Sequence, residues 1–225
     1  MKLIPLILLF VITACSSVQT RSISSVTPMI LVIGDSNLVG SFGETLHKEM
    51  AAWNEADVMS IAIGGGNATY YNRTMKNICC GYKVRASSMG EGKVKVIASS
   101  NNKNSAVILP EFNGSLSALI EKKKPVMIVI ALGSNADSNV NHNSLVTKIN
   151  KYNPDLPIYW IGPPDDSKIN ATRADGKIQA ALNQYPRSPY TFFSSQKVAK
   201  KLHPGPAESQ KWVKGFISEL KGMAR

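Results

Sequence analysis

The sequence predicts an α/β fold, a three-layer α/β/α sandwich on a mostly parallel sheet. Two observations predict it. Short apolar runs rich in β-branched residues recur along the chain, each closed by Gly, Asp, Asn or Ser. Such runs read as buried strands of a parallel sheet. Between most of them lie stretches with apolar residues at helical spacing. Strands alternating with helices imply right-handed crossovers and a sheet covered on both faces.

The first strand is Met29-Ile-Leu-Val-Ile33, which stops at Gly34-Asp35-Ser36. Ligands of open α/β sheets bind beyond the carboxyl ends of strands, so Ser36 sits where such a fold keeps its chemistry. The same three residues also suit a turn that caps a following helix. Ser41–Ala52 is that helix, with Phe42, Leu46 and Met50 on one face. Asp57–Ile63 reads as the second strand and ends in Gly64-Gly65-Gly66. Three glycines there mark a turn where the backbone comes close to another group, either a ligand oxygen or a tight corner.

Residues 67–114 have poor periodicity and read as an irregular insertion, of the length that often forms a lid or a binding wall. Tyr70-Tyr71, Cys79–Tyr82 and Ser87–Gly90 look like loop. Lys93–Ala98 and Ala106–Leu109, around a polar turn at Ser99–Ser105, suggest a β-hairpin. Order returns with a helix at Ser115–Lys123 and the most apolar strand, Val126–Leu132, which ends in Gly133-Ser134-Asn135. A helix over 140–150 leads to the strand Ile158–Ile161 and the loop Gly162-Pro-Pro-Asp165-Asp166. A helix at 171–184, a short strand Tyr190–Phe193 and a closing helix at 206–223 with Trp212, Phe216 and Leu220 on one face complete the pattern.

The first 14 residues stand outside this fold. One positive charge, an apolar run and small residues before a cysteine make a secretory leader too short for a comfortable membrane span. Ile12-Thr-Ala-Cys15 resembles a bacterial lipobox. The resemblance implies cleavage before Cys15, acylation of that cysteine with a lipid such as palmitate, and a membrane anchor through it. Ser16 after the cysteine leans toward the outer membrane and periplasm as the address within the cell envelope. Residues 15–27 read as a tether, and 28–225 as one domain with a sizeable core.

The formal net charge is +11, of which the leader carries only Lys2. The basic residues are spread out, with short clusters at Lys122–Lys124 and Lys200-Lys201. No zinc finger, RNA-binding signature or basic arm accompanies them, so nucleic acid is not an expected partner. The charge reads as a solvated face with a bias toward anionic surfaces. Cys79 and Cys80 are adjacent, a spacing that does not suit a metal. A disulfide between them, a link to another chain and two thiols all remain open. No metal or organic cofactor is expected.

Three strand ends now carry Ser36, Gly64 and Asn135, and a late loop adds His203. Acyl transfer requires a nucleophile, a base for its proton and donors for the oxyanion. Ser36 supplies a hydroxyl, and His203 is the best placed of three histidines, since His47 and His142 fall in helices. The backbone N–H groups of Ser36 and Gly64, with the Asn135 side-chain amide, suit the oxyanion.

Here the chain resembles the SGNH (GDSL-type) hydrolases over nearly the whole of 28–225. Gly34-Asp35-Ser36 matches their first block and implies Ser36 as nucleophile. The Gly64–Gly66 run matches the second-block glycine, best at Gly64. Gly133-Ser134-Asn135 matches the third block, and His203 with Pro204-Gly205 matches the last. The resemblance implies an SGNH-hydrolase/flavodoxin-like sandwich and hydrolysis of an ester on a glycan, O-acetylated peptidoglycan included, or on a lipid.

One position departs from the family. The aspartate usually three residues before the histidine is Lys200 here. Aspartate orients the imidazole and stabilises its cation, which lysine cannot do. A backbone carbonyl orienting His203, an acid from elsewhere such as Asp165 or Asp166, and a degenerate, non-catalytic glycan-binding site are the three outcomes. Asn37, directly after Ser36, has no role legible in the sequence.

Overall fold

A computed structural model of the chain describes residues 27–53, 56–73, 75, 79–102, 106, 115–135, 139–186 and 189–223. The leader, Cys15, most of the tether and the expected strand residues 107–109 lie outside these.

The elements follow the expected order. β1 (Met29–Gly34) leads into a one-turn helix α1 (Ser36–Val39) and α2 (Ser41–Trp53). β2 (Asp57–Ile63), α3 (Ala68–Asn72), β3 (Tyr82–Ser87) and β4 (Lys95–Ser100) follow. Then come α4 (Leu116–Lys123), β5 (Met127–Ala131), α5 (Asn139–Tyr152) and β6 (Ile158–Ile161). α6 (Ala171–Leu182), β7 (Tyr190–Phe193) and α7 (Pro206–Met223) close the chain. The sheet has seven strands in the order β4-β3-β2-β1-β5-β6-β7. β1 pairs parallel with both β2 and β5, and β6 and β7 continue in parallel. β3 and β4 add an antiparallel hairpin beyond β2.

That hairpin corrects the reading of residues 67–114. The strand expected at Lys93–Ala98 is present at Lys95–Ser100, but it pairs with Tyr82–Ser87, a segment whose two end residues read as loop and whose middle carries no expected element. Tyr82 and Val84 pack into the core on one face of the sheet, and Arg85, buried, points to the other. Arg85 survives there because its guanidinium donates to the carbonyls of Leu38 at 2.8 Å and Val39 at 2.7 Å. It thus meets the orphan carbonyls and the negative dipole end of α1. Burial pushes its pKa down, opposed by the Glu44 charge.

Alternation along β1 sets the two faces of the sheet. Leu31 and Ile33 point into a core shared with Tyr71 of α3, Leu119 and Ile120 of α4, and Leu145 and Ile149 of α5. Ile30 and Val32 point into the other, shared with Phe42 and Leu46 of α2 and with Trp212, Phe216 and Leu220 of α7. Phe42 and Trp212 stack with ring centroids 4.0 Å apart, joining α2 to α7. The chain reverses direction across the sheet at β1, whose successors lie on opposite sides of it. The carboxyl ends of β1 and β5 therefore flank the switch point at which open α/β sheets bind ligands.

His47 is fully buried on α2 and ties the helix to the sheet through both ring nitrogens, Nδ1 to Ser60 Oγ and Nε2 to Ser87 Oγ. Burial pushes its imidazole down to about 4, and the Arg85 charge adds to the effect. The folded protein therefore keeps His47 neutral where the unfolded chain, with an ordinary value of 6.5, already takes a proton. Stability is complete above that value and is lost as pH falls toward 4, by up to about 1.4 kcal/mol per pH unit. Urea unfolding at about pH 7 and about pH 5 is expected to show a steeper loss for the wild type than for His47→Gln. Parallel losses would rule His47 out as the source.

Candidate active site

Gly34 ends β1 where a side chain has no room. A Cβ there would sit 2.8 Å from the Ala131 carbonyl and 3.0 Å from Leu38. The buried Tyr71 hydroxyl lies beneath this turn, 2.7 Å from the Gly34 oxygen, and accepts the Gly34 N–H at 3.1 Å. Asp35 caps α1 and places Ser36 at its first position, partly exposed at the carboxyl edge of the sheet. Asp35 itself is structural. Its Oδ1 accepts the Asn37 backbone N–H at 2.9 Å and the Asn37 Nδ2 at 3.1 Å, and its Oδ2 accepts the Ser134 N–H at 3.3 Å. Burial raises the Asp35 pKa, and these donors pull it back.

Asn37 is the residue that sequence reasoning left without a role. Its Nδ2 also donates to Ser134 Oγ at 2.8 Å, and its Oδ1 accepts the His203 N–H at 2.9 Å. One buried amide thus joins the Ser36 turn, the loop after β5 and the histidine loop. The only signal in the sequence is its position next to Ser36, because its partners lie 97 and 166 residues away.

His203 is exposed and takes a left-handed φ of 55°, a conformation uncommon outside glycine. Two side chains hold its backbone there: Asn37 on its own N–H, and Asp166 Oδ2 on the Leu202 N–H at 2.8 Å. Among the described residues the ring has no hydrogen-bond partner, and neither has Ser36 Oγ. Catalytic hydrogen bonds are often long or absent before substrate binds. Of the outcomes left open for His203, neither candidate acid contacts the ring among the described residues. Asp165 Oδ2 pairs instead with Lys200 Nζ at 2.8 Å. Asp166 accepts the backbone N–H groups of Leu202 and Lys168, which hold its carboxyl below the usual carboxylate range. It acts on the loop, not on the imidazole ring. Lys200 also donates to the Gln196 carbonyl at 2.7 Å.

The oxyanion donors need one correction as well. The Gly64 N–H donates to the Gly81 carbonyl at 2.9 Å, so it is spent on β-hairpin packing. Gly66 donates to Ile63 at 2.9 Å and closes a turn with Gly65 at φ 66°. Gly65 is left, and its N–H meets no acceptor among the described residues. The Cys79–Cys80 disulfide packs behind this turn, where a Cβ on Gly65 would lie 2.5 Å from Cys79 Sγ. Asn135 reaches the same turn, since its Nδ2 donates to the Gly66 carbonyl at 2.8 Å. Its second amide hydrogen is unassigned. Gly133 carries the chain into Ser134 and Asn135 at φ 135°, with Pro163 Cδ 2.9 Å from where a Cβ would be. No group of His, Cys, Asp and Glu side chains able to hold a metal ion is found among the described residues.

No protein-family model matches the sequence, and no curated protein does. The fold has solved counterparts. A family two carbohydrate esterase from Clostridium thermocellum, solved in complex with cellohexaose, is similar with a TM-score of 0.54 at 16% identity. The match covers 88% of this chain and 64% of that one, so this chain spans less than two thirds of that protein. A peptidoglycan O-acetylesterase is similar with a TM-score of 0.54 at 12% identity, over 89% of this chain and 92% of that one. A family 3 carbohydrate esterase from Clostridium thermocellum has a TM-score of 0.51 at 12% identity, over 88% and 100%. At these identities the likeness is one of fold alone, a mixed α/β sandwich.

Proposed function

We propose that the chain is a serine ester hydrolase of the SGNH type, acting on an ester-bearing glycan of the bacterial envelope such as O-acetylated peptidoglycan. The observation that carries this reading is the Asn37 side chain, which ties Ser36, Ser134-Asn135 and His203 into one unit. A chain that needed Gly34-Asp-Ser36 only as a turn has no use for a buried amide reaching a loop 166 residues away.

In this mechanism His203 takes the proton of Ser36 Oγ as the oxygen attacks the ester carbonyl. The N–H groups of Ser36 and Gly65 and the Asn135 amide hold the resulting oxyanion. The imidazolium then protonates the leaving alcohol as its bond to carbon breaks, leaving Ser36 acylated. Water, deprotonated by His203, attacks the acyl carbon, and Ser36 departs with the proton as the free acid forms. Among the described residues no acid contacts the imidazole ring, and the cation formed at His203 has Asp166 as a nearby charge. That favours an easily cleaved ester over an amide.

Labelling with a fluorophosphonate tests the reading directly. A phosphorus–oxygen bond forms at Ser36, fluoride leaves, and the peptide containing Ser36 gains the mass of the phosphonyl group. Labelling that is absent, or unchanged in His203→Ala, would replace this reading with a glycan-binding protein on a degenerate hydrolase fold. The Cys15 anchor is proposed on the lipobox resemblance alone. Palmitate incorporation in a bacterial host is expected to vanish in Cys15→Ser, and persistence would remove the anchor.

A further inference from the structure

A cavity of about 290 Å³ opens directly beside Asn135. Ser134 and Asn135 form one wall, and Lys168, Asn170, Arg173 and Lys177 form the opposite one. The cationic wall follows from local structure. Asn170 caps α6 by accepting the Arg173 N–H at 3.0 Å. Positions 170, 173, 174 and 177 then share one helical face turned to the cavity. No carboxylate lines the cavity among the described residues. The one acid in the first turns of α6, Asp175, is turned away and accepts from Ser194 and Gln196, both at 2.7 Å. Lys168 and Arg173 are exposed at the rim; no salt bridge within 4 Å holds either head group among the described residues, and Lys168 feels the Asp166 carboxylate only at longer range. Like charges gathered on one wall raise the local concentration of an anionic ligand and orient it as it arrives.

We propose that this cavity is a carboxylate subsite, and that the ester cleaved at Ser36 is carried by an acidic saccharide whose carboxylate docks between Lys168 and Arg173. The inference rests on the hydrolase reading for its catalytic half only. Arg173 offers a two-pronged fork for a carboxylate, and Lys168 a point charge. With the anion held there, the acyl group of the same or a neighbouring sugar extends past Asn135 toward Ser36.

Two measurements on the full chain test it. The first compares an O-acetylated uronic-acid oligosaccharide with the same compound after its carboxyls are converted to amides. The double variant Lys168→Ala/Arg173→Ala is expected to lower the ratio of kcat/KM, acidic over amidated, by about tenfold, chiefly through KM. An unchanged ratio overturns the subsite. The second measures calorimetric binding of the unacetylated pair to Ser36→Ala protein. Preference for the acidic form, weakened in the variant and by added salt, is expected. Equal binding of the two forms also overturns the subsite, whatever the activity. Preferential binding by a wild type that turns over no ester keeps the subsite and removes the hydrolase.

Discussion

Ser36→Ala and His203→Ala are each expected to lower turnover of 4-nitrophenyl acetate by about a thousandfold or more, with the folded state intact. A nucleophile and its base act as a unit, so either loss removes nearly all covalent catalysis, and the double variant adds little. Neither side chain is needed by the fold. Ser36 Oγ makes no hydrogen bond among the described residues, His203 is exposed, and the Asp35 cap and the Asn37 links use atoms that both substitutions leave in place. Circular dichroism and melting temperature should therefore match the wild type. Equal rates in all three proteins would sink the hydrolase, since hydrolysis would then be owed to surface groups acting without acyl transfer.

Asn37→Ala is expected to cost about a hundredfold in kcat while KM changes little. The substitution takes away the acceptor of the His203 N–H, the donor to Ser134 Oγ and one donor to the buried Asp35. Displacing a catalytic base by about an ångström has effects of that size. Stability should also fall, by about 1–3 kcal/mol, because the Ser134 and Asp35 oxygens lose a donor in a buried setting. The kcat-against-KM split distinguishes positioning from scaffolding: a scaffold defect lowers the folded fraction but leaves kcat per folded molecule alone. Asn37→Asp sharpens the comparison. It retains an acceptor for His203 but sets a second carboxylate against Asp35, so it should be the less stable of the two.

The parts of the fold that were legible in the sequence are those made by local pattern. β1, β5 and β6 are continuous apolar runs, and burial on both faces of a parallel sheet allows little else. α2 and α7 announce themselves through Phe42, Leu46, Trp212 and Phe216 at helical spacing. Ser36, Asn135 and His203 were legible as a set because each closes a recognisable strand or loop. What the sequence hid depends on partners far along the chain. β3 alternates apolar and polar residues over only six positions, and the loop-like Cys79–Tyr82 and Ser87–Gly90 overlap both of its ends. Three identical glycines give no hint of which N–H remains free. The answer lies in the Gly81 carbonyl that takes up Gly64. Lys200 was legible as unable to serve His203, but its ion pair with Asp165 was not. Asp166 serves the same loop by a backbone route that no motif records.

The bond between Cys79 and Cys80 joins neighbours in the chain, and so it encloses almost no polypeptide. Cross-links stabilise a fold chiefly by removing conformations from the unfolded chain, an effect that grows with the length enclosed. This one removes next to none. Its influence is confined to one peptide unit, set directly behind the turn whose Gly65 N–H meets no acceptor among the described residues. Oxidation of the pair therefore bears on the stiffness of the Gly64–Gly66 turn and hardly at all on whether the domain is folded.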